Sequence, residues 1–186
     1  MTAINGGWMN QFDLIPKGNK PSGERMSYTQ MHQSDIPNYW TYAQKFLLAD
    51  NMFSSEHGPS FPNHLYIMAA DANGVINIPD IRGYNGWGCD DPPGTVVTQL
   101  FDTGDEDQVF PCFDIPVIVD ERQSAGITWK FYAPGAGQPG YVFSTLNAIN
   151  HIRNGPLWSS NVVPYTQFVT DALAGNLPAV MGRQRI

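Results

Sequence analysis

Basic residues are scarce in this sequence. Ten lysines and arginines stand against seventeen aspartates and glutamates, and the net charge is −7 with histidine neutral. A chain this acidic does not offset phosphate repulsion, so neither nucleic acid nor an anionic membrane is a bulk electrostatic partner. A small phosphorylated substrate is not excluded, because a metal ion or a helix N-terminus can supply the local positive potential it needs. Cysteine is scarce too: there are two, Cys89 and Cys112. They lack the Cys-x-x-Cys spacing of zinc ribbons and thioredoxin-like motifs. A disulfide, a reduced pair and half of a metal site all stay open on spacing alone. No apolar run approaches the ~20 residues that a membrane span requires. The N-terminus, Met1 to Gly7, has no basic stretch followed by an apolar one and is not a signal peptide. That leaves a cytoplasmic protein, or a true N-terminus that lies further upstream. There is no Gly-x-Ser-x-Gly elbow, and no Gly-x-Gly-x-x-Gly or Gly-Lys-Ser/Thr loop, so elbow-serine, dinucleotide and P-loop sites are unsupported.

What is present is a loop-rich globular chain. Its 186 residues are one domain's worth or a large piece of one. A chain of that size can bury roughly 70% of its unfolded surface. Glycine and proline are abundant, at eighteen and fifteen residues, but aromatics reach 12%. Disordered chains lack such aromatics, so the turns belong to a folded scaffold. The five tryptophans (Trp8, Trp40, Trp87, Trp129 and Trp158) are scattered, as core and loop anchors are.

Residues 1–34 are polar and turn-rich and read as a segment running over the surface. Asp35 then looks like a helix N-cap with Pro37 in the first turn. Ile36, Tyr39, Trp40, Ala43, Phe46 and Leu47 recur at three- and four-residue spacing and predict an amphipathic helix of about three turns. A second helix is expected to begin near Phe61 and to run through Leu65 and Ala70. Residues 72–114 are punctuated by Asn73-Gly74, Asn85-Gly86, Asp91-Pro92-Pro93-Gly94 and Gly104, and only Val96 to Phe101 has a clear apolar pattern. Ile127 to Tyr132 alternates with β-branched and aromatic residues and predicts a strand. Tyr141–Ile152 and Val163–Leu173 have helical spacing, and Leu177 to Val180 reads as the start of a buried strand. Helices alternating with short strands give an α/β fold class.

The segment that carries chemistry is Ser54 to Tyr66. Ser60 follows a tight Gly58-Pro59 turn and precedes a helix. Its hydroxyl therefore lies at the positive end of the helix dipole, where backbone N–H groups converge on an anion. Asn63 lies one turn on, and its amide could donate to a phosphoryl oxygen. The plainer reading is that Ser60 caps the helix, as serines often do. His57 and His64 are candidate bases or ligands, and ordinary polar residues otherwise. Asp102, Asp105, Glu106 and Asp107 lack the alternating ligands and central glycine of a calcium loop and read as a solvated turn. Cys89-Asp90-Asp91 reads as a turn before it reads as a metal donor set.

The run from Ala49 to Ser55, followed by Gly58-Pro59-Ser60-Phe61-Pro62-Asn63-His64-Leu65-Tyr66, resembles the bacterial phosphoesterase family. That family includes phospholipase C enzymes and related acid phosphatases of the alkaline phosphatase superfamily. Asn5 to Phe12, Trp87 to Asp90, Pro111 to Asp114, Ala125 to Lys130 and Leu177 to Val180 are similar to it in order and spacing. The resemblance implies a partial alkaline-phosphatase-like fold, with part of a central sheet flanked by helices and long loops. It implies that Ser60 is a metal-coordinated nucleophile that attacks phosphorus in line and passes through a phosphoseryl intermediate. Asn63 matches the motif's asparagine and is expected to contact substrate.

The family's Glu-Asn-x-Ser-Phe-Asp segment and its later acidic and histidine segments have no counterpart here. Residues 1–186 are therefore expected to be a central fragment of a phosphoesterase catalytic domain. Met181 to Ile186 does not continue the pattern, and Gly182-Arg183-Gln184-Arg185 looks like a truncated or frameshifted end. A divalent metal is expected only with the missing segments, and the fragment alone is expected to be weak or inactive. Members are usually exported, which implies a secreted or periplasmic location and favours a Cys89–Cys112 disulfide. The expected partner is a phosphate-ester substrate, and no protein partner is implied. The competing readings are a non-catalytic binding module, with Ser60 as a cap, and a non-functional truncated product.

Overall fold

Turns outnumber regular elements in the first part of the chain, whose large aromatic side chains are mostly exposed. The computed structural model describes residues 2–79 and 87–183. The Asn85-Gly86 turn and the Gln184-Arg185 end fall outside them. The chain divides into two compact units, Met1–Met52 and Phe53–Ile186.

In the first unit, 3-10 turns at Asn5–Gly7, Phe12–Leu14 and Met26–Tyr28 precede one α-helix, α1, Pro37–Lys45. Gly18 is buried where the chain doubles back. A Cβ there would press into the Phe12 carbonyl, and the single Ser27 Oγ–H lies within reach of that carbonyl at 2.8 Å and of the Gly18 carbonyl at 2.9 Å. The expected N-cap is corrected. Ile36 holds the cap position without a side-chain bond, because Asp35 Oδ2 accepts the His32 N–H at 3.1 Å in the preceding turn. The helix is also shorter than its apolar spacing predicts, ending before Phe46 and Leu47, and none of its residues is buried.

The second unit holds the core. Helix α2 spans Ser60–Ala69 and presents Phe61 and Leu65 to it. Strands β1, Val97–Leu100, and β2, Glu106–Val109, form an antiparallel hairpin, with the exposed acidic run at its turn and at the start of β2. Helix α3, Ile118–Ser124, leads to β3, Trp129–Ala133. Helices α4, Asn150–Arg153, and α5, Pro156–Asn161, precede β4, Val162–Pro164. Helix α6, Gln167–Leu173, precedes β5, Val180–Arg183. Strand β3 lies between β4 and β5, parallel to both. Parallel neighbours need crossover connections, and the helices between these strands supply them. The fold is α/β, as the alternation of elements predicts.

Two sequence expectations are corrected here. Tyr141–Ile152 is not one helix but 3-10 turns at Tyr141–Phe143 and Thr145–Ala148, followed by α4. A continuous helix would keep its carbonyls for itself. Instead the Asn147 carbonyl accepts from Cys89 at 2.8 Å and the Ala148 carbonyl from Phe113 at 2.8 Å, while Asn150 donates to the Phe113 carbonyl at 2.9 Å. Strand β5 begins only at Val180, which is 38% exposed. Leu177-Pro178-Ala179 is therefore a lead-in to an edge strand, not the start of a buried one.

Candidate active site

The geometry at Ser60 begins with its two neighbours on the N-terminal side. Pro59 occupies the N-cap with extended backbone (φ −72°, ψ 177°), and Ser60 is the first helical residue. The serine makes no capping hydrogen bond, so the capping role that its residue type suggests is not the one it plays. Its side chain is half-buried, and its hydroxyl has no hydrogen-bond partner among the described residues. Helix α2 has ten residues, enough for the positive end of its dipole to act at this position.

Asn63 does something other than face outward. Its Oδ1 accepts the Glu56 N–H at 3.2 Å. Its Nδ2 donates to the carbonyls of Pro59 at 3.0 Å, Gly58 at 3.3 Å and Glu56 at 3.3 Å. The side chain thus ties the whole 56–59 turn to the helix that follows. His64 bonds the other side: its Nδ1 lies 2.6 Å from the Ser60 carbonyl. A carbonyl only accepts, so Nδ1 carries the hydrogen. The His64 ring stacks on Phe143, with centroids 5.5 Å apart, and meets Trp87 edge-on at 6.0 Å. Trp87 also meets Phe61 at 5.6 Å and Phe143 at 5.4 Å. These rings wall the first turns of α2. His57 is exposed and Glu56 half-buried.

Cys89 and Cys112 are joined in a disulfide, with Cα atoms 4.6 Å apart. Beside it, the Cys89-Asp90-Asp91 segment is a turn. Gly88 N–H donates to Asp91 Oδ2 at 3.0 Å. Burial, with a smaller push from the charge on Asp90, raises the Asp91 carboxyl to about 6 against the pull of the Gly88 bond. Asp90 accepts from Tyr141 Oη at 2.5 Å and from the Asn147 amide, and Arg153 Nη2 lies 3.5 Å from it.

Sequence reasoning missed two further clusters. Asp171 Oδ2 accepts from Lys130 Nζ at 2.6 Å and Tyr132 Oη at 2.7 Å, which holds the Asp171 carboxyl below its ordinary value. Burial first, then Asp171, pushes the Tyr132 hydroxyl up to about 12. His151 bridges Asp114 at 3.0 Å and Asp120 at 3.0 Å. Burial lowers its pKa, but the two carboxylates outweigh that and hold it above the usual range. These partners lie 31 to 41 residues apart in the chain, so no local spacing signals them.

The donors around Ser60 do not amount to a metal shell. Asn63 is spent on the turn, and among the described residues no three His, Cys, Asp or Glu side chains group closely enough to hold an ion. Nor does a cavity of about 600 Å³ at the start of β3 reach Ser60; it is lined by Gln123, Thr128, Trp129, Asn161 and Asn176 among others.

Ser60 thus stands at the start of α2 without a side-chain hydrogen bond, beside an aromatic wall in an α/β unit. The chain belongs to the Phosphoesterase family, whose model matches residues 1–181. Membership puts it, at family level, among hydrolases that act on phosphate esters. No curated protein matches the chain. Among the described residues no helix is long and apolar enough to cross a membrane.

Proposed function

We propose that the chain carries the nucleophile of a phosphoric-ester hydrolase of the phospholipase C or acid phosphatase type, and that Ser60 is that nucleophile. The observation that carries this is the unbonded hydroxyl at the first residue of α2, within a chain of the Phosphoesterase family. Ser60 Oγ bonds to phosphorus as the ester oxygen departs with its electron pair and takes up a proton. Water then breaks the Oγ–P bond, releasing phosphate or a phosphoryl headgroup and restoring the serine. Amides of the first helical turn favour the anion throughout. The divalent metal implied by the family resemblance belongs to the proposal only through residues other than those described. Export belongs to it as well, supported by the Cys89–Cys112 bond, since disulfides persist in oxidising compartments.

The test is chemical trapping. The natural protein, with whatever sequence flanks these residues, is mixed with p-nitrophenyl phosphate and with a phosphatidylcholine vesicle, quenched in acid, digested and analysed by mass spectrometry. A phosphoryl group on the peptide containing Ser60, absent in Ser60→Ala together with turnover, is the expected result. Full turnover in Ser60→Ala would place the chemistry elsewhere.

A further inference from the structure

We infer that Asn63 is a positioning residue for Ser60, not a substrate contact. This rests on Ser60 being the nucleophile. What the asparagine has left to offer a ligand decides between the two roles. Its amide has two N–H groups and one carbonyl. The Glu56 N–H occupies the carbonyl, and three backbone carbonyls (Pro59, Gly58 and Glu56) share the two N–H groups. No donor remains for a phosphoryl oxygen without breaking the turn.

The bonded atoms say what the side chain does. They lie in the residues immediately before Ser60, so Asn63 fixes the backbone on entry to the helix. His64 fixes Ser60 itself, through its carbonyl at 2.6 Å. Between these two clamps the serine has little freedom except at χ1. A glycine and a proline alone would not hold this entry. Pro59 presets its own φ, but Gly58 is the residue type with the most conformational freedom to lose. The asparagine's bond to the Gly58 carbonyl, at 3.3 Å, restrains that position. A nucleophile displaced by about 1 Å can lose on the order of 100-fold in rate. That is the scale of effect to expect if the turn loosens.

The substitutions separate positioning from binding. Asn63→Ala removes all four bonds. Asn63→Asp keeps the shape and the acceptor for Glu56 N–H, but turns the carbonyl-facing side into an acceptor that repels them. Steady-state kinetics on p-nitrophenyl phosphate use the natural protein, with whatever sequence flanks these residues, in the presence of added divalent metal. Both variants are expected to lower kcat about 10- to 100-fold with KM nearly unchanged, and Asn63→Asp is expected to be no better than Asn63→Ala. A raised KM with unchanged kcat would overturn the inference and make Asn63 a substrate contact. So would activity retained in Asn63→Asp.

Ser60→Ala run alongside distinguishes the two levels of failure. Full activity in Ser60→Ala defeats the nucleophile assignment. Inactive Ser60→Ala with normal Asn63→Ala defeats only the positioning role. A second measurement does not need turnover. In the 186-residue chain, amide hydrogen exchange at Glu56 is expected to accelerate about tenfold or more in Asn63→Ala, with the β3 amides unchanged. Unaltered exchange at Glu56 would overturn the brace whatever the kinetics.

Discussion

Gly88 lies against Asn147. The Cys89 N–H donates to the Asn147 carbonyl at 2.8 Å, and a Cβ on Gly88 would come inside the 3.0 Å that real Cβ contacts keep from that carbonyl. The approach is backbone on backbone, so no side chain can rotate away. Gly88→Ala is expected to destabilise the second unit by about 1–3 kcal/mol, the usual penalty for overpacking a tight site. Urea unfolding of the two proteins measures it, and equal midpoints would show that the approach relaxes at no cost.

The neighbouring disulfide closes a sequence separation of 23 residues. Loop-closure entropy for such a span gives about 3 kcal/mol, most of it through the unfolded chain. Replacing both cysteines with alanine is expected to lower the unfolding free energy by that amount. Comparing denaturant midpoints of oxidised, reduced and Ala/Ala protein checks it. Identical midpoints would mean that the bond constrains nothing that folding needs.

Asp91 gives a pH dependence with a definite sign. Its carboxyl is raised from 3.8 to about 6 in the folded chain. Between those values the folded state holds a proton that the unfolded state has released, so stability falls as pH rises from about 4 to about 6 and then levels. The side chain introduced by Asp91→Asn keeps a carbonyl to accept the Gly88 N–H and cannot ionise. Thermal melts across that window are expected to fall with pH in the parent and to stay flatter in Asp91→Asn. Parallel curves would sink the assignment.

His151 acts in a higher window. Its pKa is raised above 6.5 by Asp114 and Asp120, so its contribution is complete below 6.5 and is lost as pH climbs through the folded value. His151→Gln is expected to abolish the part of the melting-temperature decline that begins above about pH 6.5. The same melts, extended to about pH 9, decide this.

Metal removal tests the remaining part of the proposal. The described residues offer no group of three metal donors, and one hydroxyl does not hold a divalent ion. The bare 186-residue chain is expected to turn over p-nitrophenyl phosphate slowly or not at all. A form extended by the family's flanking segments is expected to be active and to lose activity to chelator. Vigorous turnover by the bare chain, indifferent to both chelator and Ser60→Ala, would refute the Ser60 chemistry.

The sequence made some of this legible and hid the rest for identifiable reasons. The start of α2 and strand β3 can be read because their signals are local: Gly58-Pro59 before an apolar run, and alternation through Trp129 and Phe131. The break in Tyr141–Ile152 cannot, because the apolar spacing there is helical while the carbonyls of Asn147 and Ala148 are claimed by Cys89 and Phe113. Nothing in a linear pattern announces a partner so far away. The bonds of the Asn63 side chain are hidden for a different reason, since they follow from how the turn folds back. An asparagine one turn past Ser60 invites a ligand role, and only the folded chain reveals how far its amide is engaged by the turn.

The bonds that hold Ser60 all close over very short stretches of chain. Asn63 and His64 reach back between four and seven residues, whereas Asp90 meets Asn147 across 57. Loops of about ten residues close in roughly 10–100 ns, while long-range pairings wait on slower chain search. On these timescales the Ser60 turn is expected to form together with the first turn of its helix. The aromatic wall of Trp87 and Phe143 is expected to close around a turn that has already formed.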